Sequence, residues 1–486
     1  MQTVPMPLFT GVHKGVDDSV LTDVGAIQYN GYIDDLGGLN VRPGEATTAT
    51  VISGGNSNNG MYYWPDNNLI VTVDGTTVYV RTIDAALTLG NTTAGSLTSY
   101  VTGGLNVFAS DGTYVYMANG SRISYVDNIG TVAEISDADA PATATHVAYL
   151  DGYILAISGN NKFYWSDLNA GTTWSALSFA SAEAAPDINR ALHVVQRQIY
   201  ILGTTTTEIW ENDGETPFSR IPGGLIEIGC GAKYSGVKYQ NSLIWLNENR
   251  KFVKFTGTAV EFLSGPYDKE LAGFSTVSDC IGNYIYKDGQ EYIIFQFPTE
   301  NRTLVYHPIN QEWSEWGTWD ENTSTWDAYD IRSSATDLRT GEVFIGKANT
   351  NCITRLDSTS RNDILSATTT GSTSGVVYSP VRFLRRTGWI DNGTSKQKRL
   401  EILRFRAKSG DTASTTAQNL LLRYRNDGSN QWSNNINVNI GAIGQTEHHI
   451  KLRRLGIYRS RQFEISCGAD TAVVLSNAEA EITVLR

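Results

Sequence analysis

Apolar and polar residues alternate along this chain in short runs with a period of two, the spacing of strands that bury one face. In "LEILRFRAK", Leu403, Phe405 and Ala407 share one parity and Arg404 and Arg406 the other; in "LLLRYRND", Leu422 and Tyr424 oppose Arg423 and Arg425. Read as paired strands, these segments give a sheet with one packed face and one arginine-rich face. With "HHIKLRRLGIYRSRQFEISC" and "AEITVLR" they predict a C-terminal antiparallel β-sandwich over residues 376–486.

Upstream, one unit recurs: a tight turn, a β-branched or aromatic strand, a second Gly or Asn turn, and a strand ending near Asp or Asn. It reads "DGTTVYVRTID" from Asp74, "DGTYVYMANGSRISYVDN" from Asp111, "DGYILAISGNNKFYWSDLN" from Asp151 and "RQIYILGTTTTEIWENDG" from Arg197. It continues as "NSLIWLNENRKFVKFTG" from Asn241, "DGQEYIIFQFPTENRTLVYHPINQEW" from Asp288 and "TGEVFIGKANTNCITRLD" from Thr340. Steps between the turns run from 37 to 52 residues, bracketing the roughly 40 to 50 of a four-stranded propeller blade. A hairpin alone cannot bury its apolar face, so such units stack, and a closed ring leaves only short edges. The expectation is an all-β chain: a β-propeller of about six or seven blades over residues 46–362, then the sandwich. Asp-Gly at Asp74, Asp111 and Asp151 is read as supplying the positive φ angles of type I′ hairpins. Residues 1–45 form an entry segment packing on the propeller or the C-terminal domain, and the Ser, Thr and Gly of Asp363 to Gly375 read as a linker.

Composition agrees: 46 glycines, 24 tyrosines and 11 tryptophans suit strands and turns, and very little helix is expected. Cys230, Cys280, Cys352 and Cys467 are scattered singly, which suits buried free thiols in a reducing compartment. The N-terminus lacks the basic and apolar regions of a secretory signal, and no apolar run is long enough to span a bilayer, so no membrane insertion is expected. Charge is segregated. Residues 376–486 hold 17 Lys+Arg against 9 Asp+Glu, net +8, while the preceding 375 residues hold 21 against 41, net −20.

Candidate chemistry is sparse. His13, His146, His193, His307, His448 and His449 show no metal-ligand spacing, and no nucleophile elbow is present, so no catalytic, metal or cofactor residue is assigned and the chain is read as a non-enzyme. The cluster from Trp313 to Asp330, with Trp316, Trp319, Trp326, Asp320 and Asp327, admits a glycan platform with a carboxylate pair, giving the alternative of a glycan-binding or glycan-cleaving propeller. The favoured reading packs these tryptophans between sheets. In "RNDGSNQW" a carboxylate is expected to cap loop amides with Trp432 beneath. Arg404, Arg406, Arg423 and Arg425, joined by Arg453 and Arg454, would repel one another if unpartnered, which points to an acidic protein surface such as the body of a neighbouring copy.

The stretch "NGYIDDLGGLNVRPG" fits neither phosphate-loop fingerprint and precedes a strand-forming run, so it is read as an architectural turn. Gly37 and Gly38 reverse the chain, Pro43 and Gly44 fix the exit toward a strand near Thr47, and Arg42 is expected to meet a carboxylate or carbonyl at the domain junction.

With "PLFTGVHKGVDDS" before it, this stretch resembles the N-terminal signature of tail-tube (nozzle) proteins of short-tailed bacteriophages, carried by Asn30, Gly37, Gly38, Leu39, Arg42, Pro43 and Gly44. The run from "LDGYILAISGNNKFYWSDLN" to "EIWENDG" is similar to the middle of the packaged-DNA stabilisation proteins of those viruses, and "RYRNDGSNQWS" with "HHIKLRRLGIYRSRQFEISC" resembles their closing domain. The resemblance implies a virion tail protein assembled in the host cytoplasm, six copies forming a ring below the portal and adaptor. Such a ring seals packaged DNA, passes double-stranded DNA without binding it specifically, and contacts tail fibres or spikes and a tail needle.

Overall fold

The computed structural model describes residues 2–485 apart from 10–25, 35, 52–56, 91, 183–186, 215–216, 258, 349–351, 368–375, 410–417, 442–446 and 469–472. Among the described residues the only helical turns are Gly265–Tyr267 and Asp268–Gly273. Six separate four-stranded sheets and the first four strands of a nine-stranded sheet make seven blades. Blades 1 to 6 occupy residues 58–96, 107–134, 146–181, 191–226, 237–262 and 281–315. Blade 7 takes three strands from residues 333–357 and its outermost strand, Gly44–Val51, from the N-terminal part of the chain. The innermost strand of blade 7, Ser333–Asp337, packs on that of blade 1, Asn58–Trp64, closing the ring, and Ser333 Oγ donates to Asn58 Oδ1 at 2.5 Å.

Because a blade is covered on both faces by its neighbours, its central strands are buried throughout, as in Val115–Ala118 and Ser242–Leu246. Aromatic side chains fill the wedges between blades. Phe163, Trp165, Trp210 and Phe218 meet between blades 3 and 4, and Phe252, Phe295 and Trp313 between blades 5 and 6. Offset and edge-on geometries, such as Phe163 on Trp210 at 5.0 Å, suit the ring quadrupoles.

The seven sequence units map one to a blade, with a phase difference. In blades 2 to 7 the recurring turn joins the first strand to the second; at Asp74 it joins the second to the third. The turn chemistry is also less uniform than expected. Asp151 and Gly152 both take positive φ, 51° and 90°, as a type I′ turn needs. At Asp74 only Gly75 does so. Asp111 sits in a longer loop, where its carboxylate accepts from the Thr113 and Tyr114 N–H groups.

The C-terminal domain is a two-sheet sandwich completed by the N-terminal segment. One sheet contains Lys398–Lys408, His448–Arg453 and Val474–Val484, joined by Gln2–Pro5, Gly31–Ile33 and Leu39–Val41. Its core mixes Leu8, Phe9, Ile33 and Leu39 with Leu403, Phe405, Leu422, Phe463 and Ile465. The other sheet, Phe383–Arg386, Arg461–Cys467, Gln418–Asn426 and Ile436–Gly441, is continuous with blade 6. The splice is Ile27–Tyr29, which pairs with Phe383–Arg386 on one side and meets Glu315 of blade 6 through Tyr29 on the other.

Two expectations about the chain path are corrected. The turn at residues 30–44 does not lead into blade 1; it delivers Gly44–Val51 to the edge of blade 7, because Cys352–Asp357 presents an unpaired edge there. Of the segment read as a linker, residues 363–367 lie in the strand Asn362–Ala367, paired with Val376–Pro380, and residues 368–375 lie outside the described residues. Asp363 and Ile364 are buried, which a solvated linker would not allow.

Asp363 is held by Arg42, both fully buried, through two N–H···O bonds of 2.8 and 2.5 Å. The guanidinium lies over Tyr329 at 4.5 Å and Trp316 at 5.3 Å, and its Nε donates to Asn30 Oδ1. Burial alone would favour the neutral guanidine, but the Asp363 charge outweighs it and holds the Arg42 pKa up. Beside it Glu45 accepts from Lys347 Nζ at 2.7 Å, from the Ile364 N–H and from the Tyr329 hydroxyl. Two cations and two carboxylates thus tie the entry turn, blade 7 and the 362–367 strand together. Removing one member strands a buried charge: Arg42→Met or Asp363→Asn is expected to lower stability by about 3–5 kcal/mol, read from urea midpoints, with hydrogen exchange accelerated first in Gly44–Val51. An unchanged midpoint would contradict the assignment.

His307, buried in blade 6, pairs Nε2 with Ser314 Oγ at 2.8 Å and packs on Tyr292. Burial pushes its pKa down to about 3, below the roughly 6.5 of an unfolded histidine. The unfolded chain therefore binds the proton more readily, so this stabilisation is complete above about pH 6.5 and is lost as pH falls toward 3. His307→Gln is expected to flatten that acid limb in pH-dependent melting; an identical limb would show that other groups set it.

Candidate functional site

The arginine-bearing strands of the C-terminal domain are not partners. Arg404 and Arg406 stand on Lys398–Lys408 in one sheet, Arg423 and Arg425 on Gln418–Asn426 in the other, so the expected pairing of these strands is corrected. Neither group is left unpartnered. Arg404 forms ion pairs with Glu479 and Glu481, and Arg406 with Glu447 at 3.4 Å. On the other sheet, Glu464 is almost fully buried and receives Arg423 at 2.5 Å and Arg386 at 2.7 Å. Arg423, Arg425 and Arg386 all lie over the Trp432 ring, at 4.9, 4.8 and 5.3 Å. Like charges on the two strands flanking Arg461–Cys467 are thus accommodated by one carboxylate and one π-face.

Trp432 therefore acts as a platform for arginines, and Asp427 caps the Arg459 and Ser460 N–H groups across the sheet instead of its own loop. On and after the edge strand His448–Arg453, Lys451, Arg453 and Arg454 are exposed and form no ion pair among the described residues. Beside them a cleft of about 370 Å³ is lined by Arg404, Arg406, His449 and Lys451, with Glu479 at its rim.

The tryptophan cluster divides. Trp313 and Trp316 are buried inside the propeller. Trp319 and Trp326 sit on the hairpin Gly317–Asp320 and Thr325–Ala328, and Trp319 lines a cleft of about 840 Å³ together with Glu321, Asp327 and Asp330. Their ring contacts are with the chain itself: Tyr29 stacks on Trp326 at 4.2 Å and 2°, and the Arg382 guanidinium lies 4.1 Å from the Trp319 centroid. The carboxylates are engaged as well. Asp320 caps Asn322 and Thr323, Asp327 accepts from Asn301, and Asp330 accepts from the Ala348 N–H. The backbone bond from Asn322 holds the Asp320 pKa below its ordinary value, the opposite of what a glycosidase acid needs.

In the entry turn Gly37 has φ +80°, Asp34 accepts from the Gly38 N–H, Leu39 is buried, and Pro43 and Gly44 lead out beneath Ser360, where a Cβ on Gly44 would fall 2.7 Å from a carbonyl oxygen. Asn30, at φ 56°, spans the junction: its amide donates to Gly317 and Arg382 carbonyls and its oxygen accepts from the Gly317 N–H and Arg42. Of the histidines, His13 lies outside the described residues. His146 and His193 stand on adjacent innermost strands with ring centroids 6.2 Å apart, a proximity the sequence spacing gave no sign of. Among the described residues no three metal-ligating side chains converge.

Comparison with known proteins yields one family. The model described as "Bacteriophage P22 Gp10, beta-propeller" matches residues 30–361. A search of curated proteins finds no match. Among solved structures the chain is similar to the WD40 β-propeller domain of Doa1, at 11% identity and TM-score 0.43, over 65% of this chain and 96% of that one. It is also similar to the computationally designed Ika8 protein, at 10% identity and TM-score 0.37, over 64% and 99%. PorZ, of the type-IX secretion system of Porphyromonas gingivalis, shares 10% identity at TM-score 0.38, over 72% of this chain and 44% of that one. Likenesses this distant say nothing of function. The family match, which spans the entry turn, its Asn30–Arg42 contacts and all seven blades, does: the chain belongs to the phage P22 Gp10 β-propeller family of stabilisation proteins and is a structural protein of the bacteriophage tail.

Proposed function

We propose that the chain assembles as a homo-oligomeric ring, six copies around the tail axis below the portal and adaptor, forming the nozzle that retains packaged DNA and conducts it at ejection. The observation that carries this reading is the segregation of charge in a chain of this family: net −20 over the first 375 residues and +8 over the last 111. A ring made of one kind of subunit repeats a heterologous contact, in which one surface meets a different surface of the next copy, and opposite charge on the two surfaces sets that pairing. The free cations at Lys451, Arg453 and Arg454 supply the basic surface, and the acidic propeller the other. The same negative charge suits a conduit for a polyanion, since basic walls would hold phosphates. Contacts with adaptor, fibres or spikes and a needle belong to this reading, as does a location in the virion tail after assembly in the host cytoplasm. No catalytic role is assigned.

Mass photometry of the purified chain is expected to show rings whose population falls as sodium chloride rises. The double variant Arg453→Glu, Arg454→Glu is expected to shift the distribution to monomers with the melting temperature unchanged. Arg423→Glu, by contrast, sets a second carboxylate against buried Glu464 and lowers stability instead. A chain that stays monomeric at every concentration and salt would sink the ring, and rings unaffected by Arg453→Glu, Arg454→Glu would sink the basic surface. In virions, replacing channel-lining carboxylates by lysine is expected to slow DNA release in a fluorescence ejection assay; unaltered kinetics would count against an electrostatic conduit.

A further inference from the structure

The propeller axis carries a site that the ring reading does not use. At the end where the innermost strands begin, a cavity of about 200 Å³ opens between all seven blades, from Met61 in blade 1 to Ser333 in blade 7. Its charged lining is wholly basic: Lys233 and Arg332 face it, and no carboxylate does, within a propeller whose overall charge is strongly negative. Tyr234, Ser333 and Ser334 also line it, their hydroxyls donating to the Leu105 carbonyl, Asn58 Oδ1 and Asn283 Oδ1.

Several of these groups lack partners. Arg332 spends Nη2 on the Gly103 carbonyl at 2.6 Å, while its buried Nε has no acceptor. Lys233 forms no ion pair among the described residues; its ammonium lies 4.6 Å from the Tyr234 ring centroid. His146 is 1% exposed, its Nε2 bonded to the Lys233 carbonyl at 2.9 Å and its Nδ1 unbonded. His193 leaves Nε2 unbonded against Gly236, where an added Cβ would stand 2.1 Å from that nitrogen. Burial keeps both imidazoles well below the ordinary histidine pKa, His146 at about 4, so at neutral pH the wall combines two full cations with two neutral rings. A buried donor without an acceptor is costly, and guanidinium with ammonium is a pairing suited to phosphate oxygens.

We infer that the propeller axis binds one small phosphate-like oxyanion per chain, held by Arg332 and Lys233. Charge selects a dianion, and the cavity's width excludes duplex nucleic acid while admitting a free phosphate or the phosphate group of a small monoester. A bound anion joins blade 5 to blade 7 across the axis.

The test uses the full-length chain titrated with inorganic phosphate in calorimetry, against sodium chloride of equal ionic strength. One saturable site per chain and a rise in melting temperature are expected. Arg332→Gln and Lys233→Gln are each expected to weaken binding roughly tenfold or more, the loss of one charge-assisted contact. Lys233 is exposed, so Lys233→Gln keeps the test informative if the Arg332 variant melts early. Lys269→Gln, on the helical turn Asp268–Gly273 and not among the residues lining the cavity, is expected to leave binding as it was. Glycerol phosphate in parallel separates the sources: tighter binding assigns a monoester, weaker binding the free ion, and both support the site. No saturable heat beyond that of chloride, or equal binding by all three variants, would overturn it.

Discussion

Everything in this molecule hangs on how a ring and a sandwich share their first fifty residues, and the Arg42–Asp363 pair is where that sharing is fixed. A charge pair with no water around it is a poor source of net stability but a strict one of geometry, since any arrangement that separates the partners leaves a bare ion in an apolar setting. Here the guanidinium is also gripped by Tyr329 and Trp316 and by the Asn30 amide oxygen. One side chain thereby sets the relation of the entry turn, blade 7 and the strand at 362–367. The adjacent Glu45–Lys347 pair does the same for the closing strand itself.

The second consequence of that shared segment is mechanical. Blade 6 runs through Ile27–Tyr29 into a sandwich sheet without a break in strand pairing at Tyr29, so propeller and C-terminal domain are joined by hydrogen bonds as well as by chain. Arg302 and Glu315 brace the splice with a bidentate pair at 2.7 and 2.8 Å beside Tyr29.

Much of the architecture was legible in the sequence because it rests on local physics. The alternation of Leu403, Phe405 and Ala407 with arginines marked buried and open faces, and the recurring turn-and-strand unit pointed to a propeller of about six or seven blades. The entry turn, with its Gly37–Gly38 reversal and Arg42, carried the family. What the residues did not disclose is non-local. Nothing near residues 44–51 indicates a partner three hundred residues away, and the Ser- and Thr-rich run at 363 looks solvated until Arg42 and Glu45 are placed beside it. The two arginine strands looked like neighbours because their patterns match, although they lie on opposite sheets. Glu464 and Trp432, which neutralise one of them, come from separate strands and loops. The axial cavity was equally hidden, since its residues are short runs brought together from all seven blades.

The closing strand also sets a timetable. Gly44–Val51 leaves the ribosome early, yet its partner Cys352–Asp357 is made some three hundred residues later, roughly 15 to 60 seconds at ordinary rates of synthesis. Until then the N-terminal strands have neither sheet to join, and the nascent propeller is an open arc with an edge at each end. A segment written as "GEATTATV", short, threonine-rich and with its glutamate destined for burial, is a strand that can wait in water without recruiting a stranger's edge. The two domains therefore finish at different times: Cys352–Asp357 closes the propeller, while the sandwich waits for Val474–Val484, so a chain that stops short of residue 352 has no closed ring.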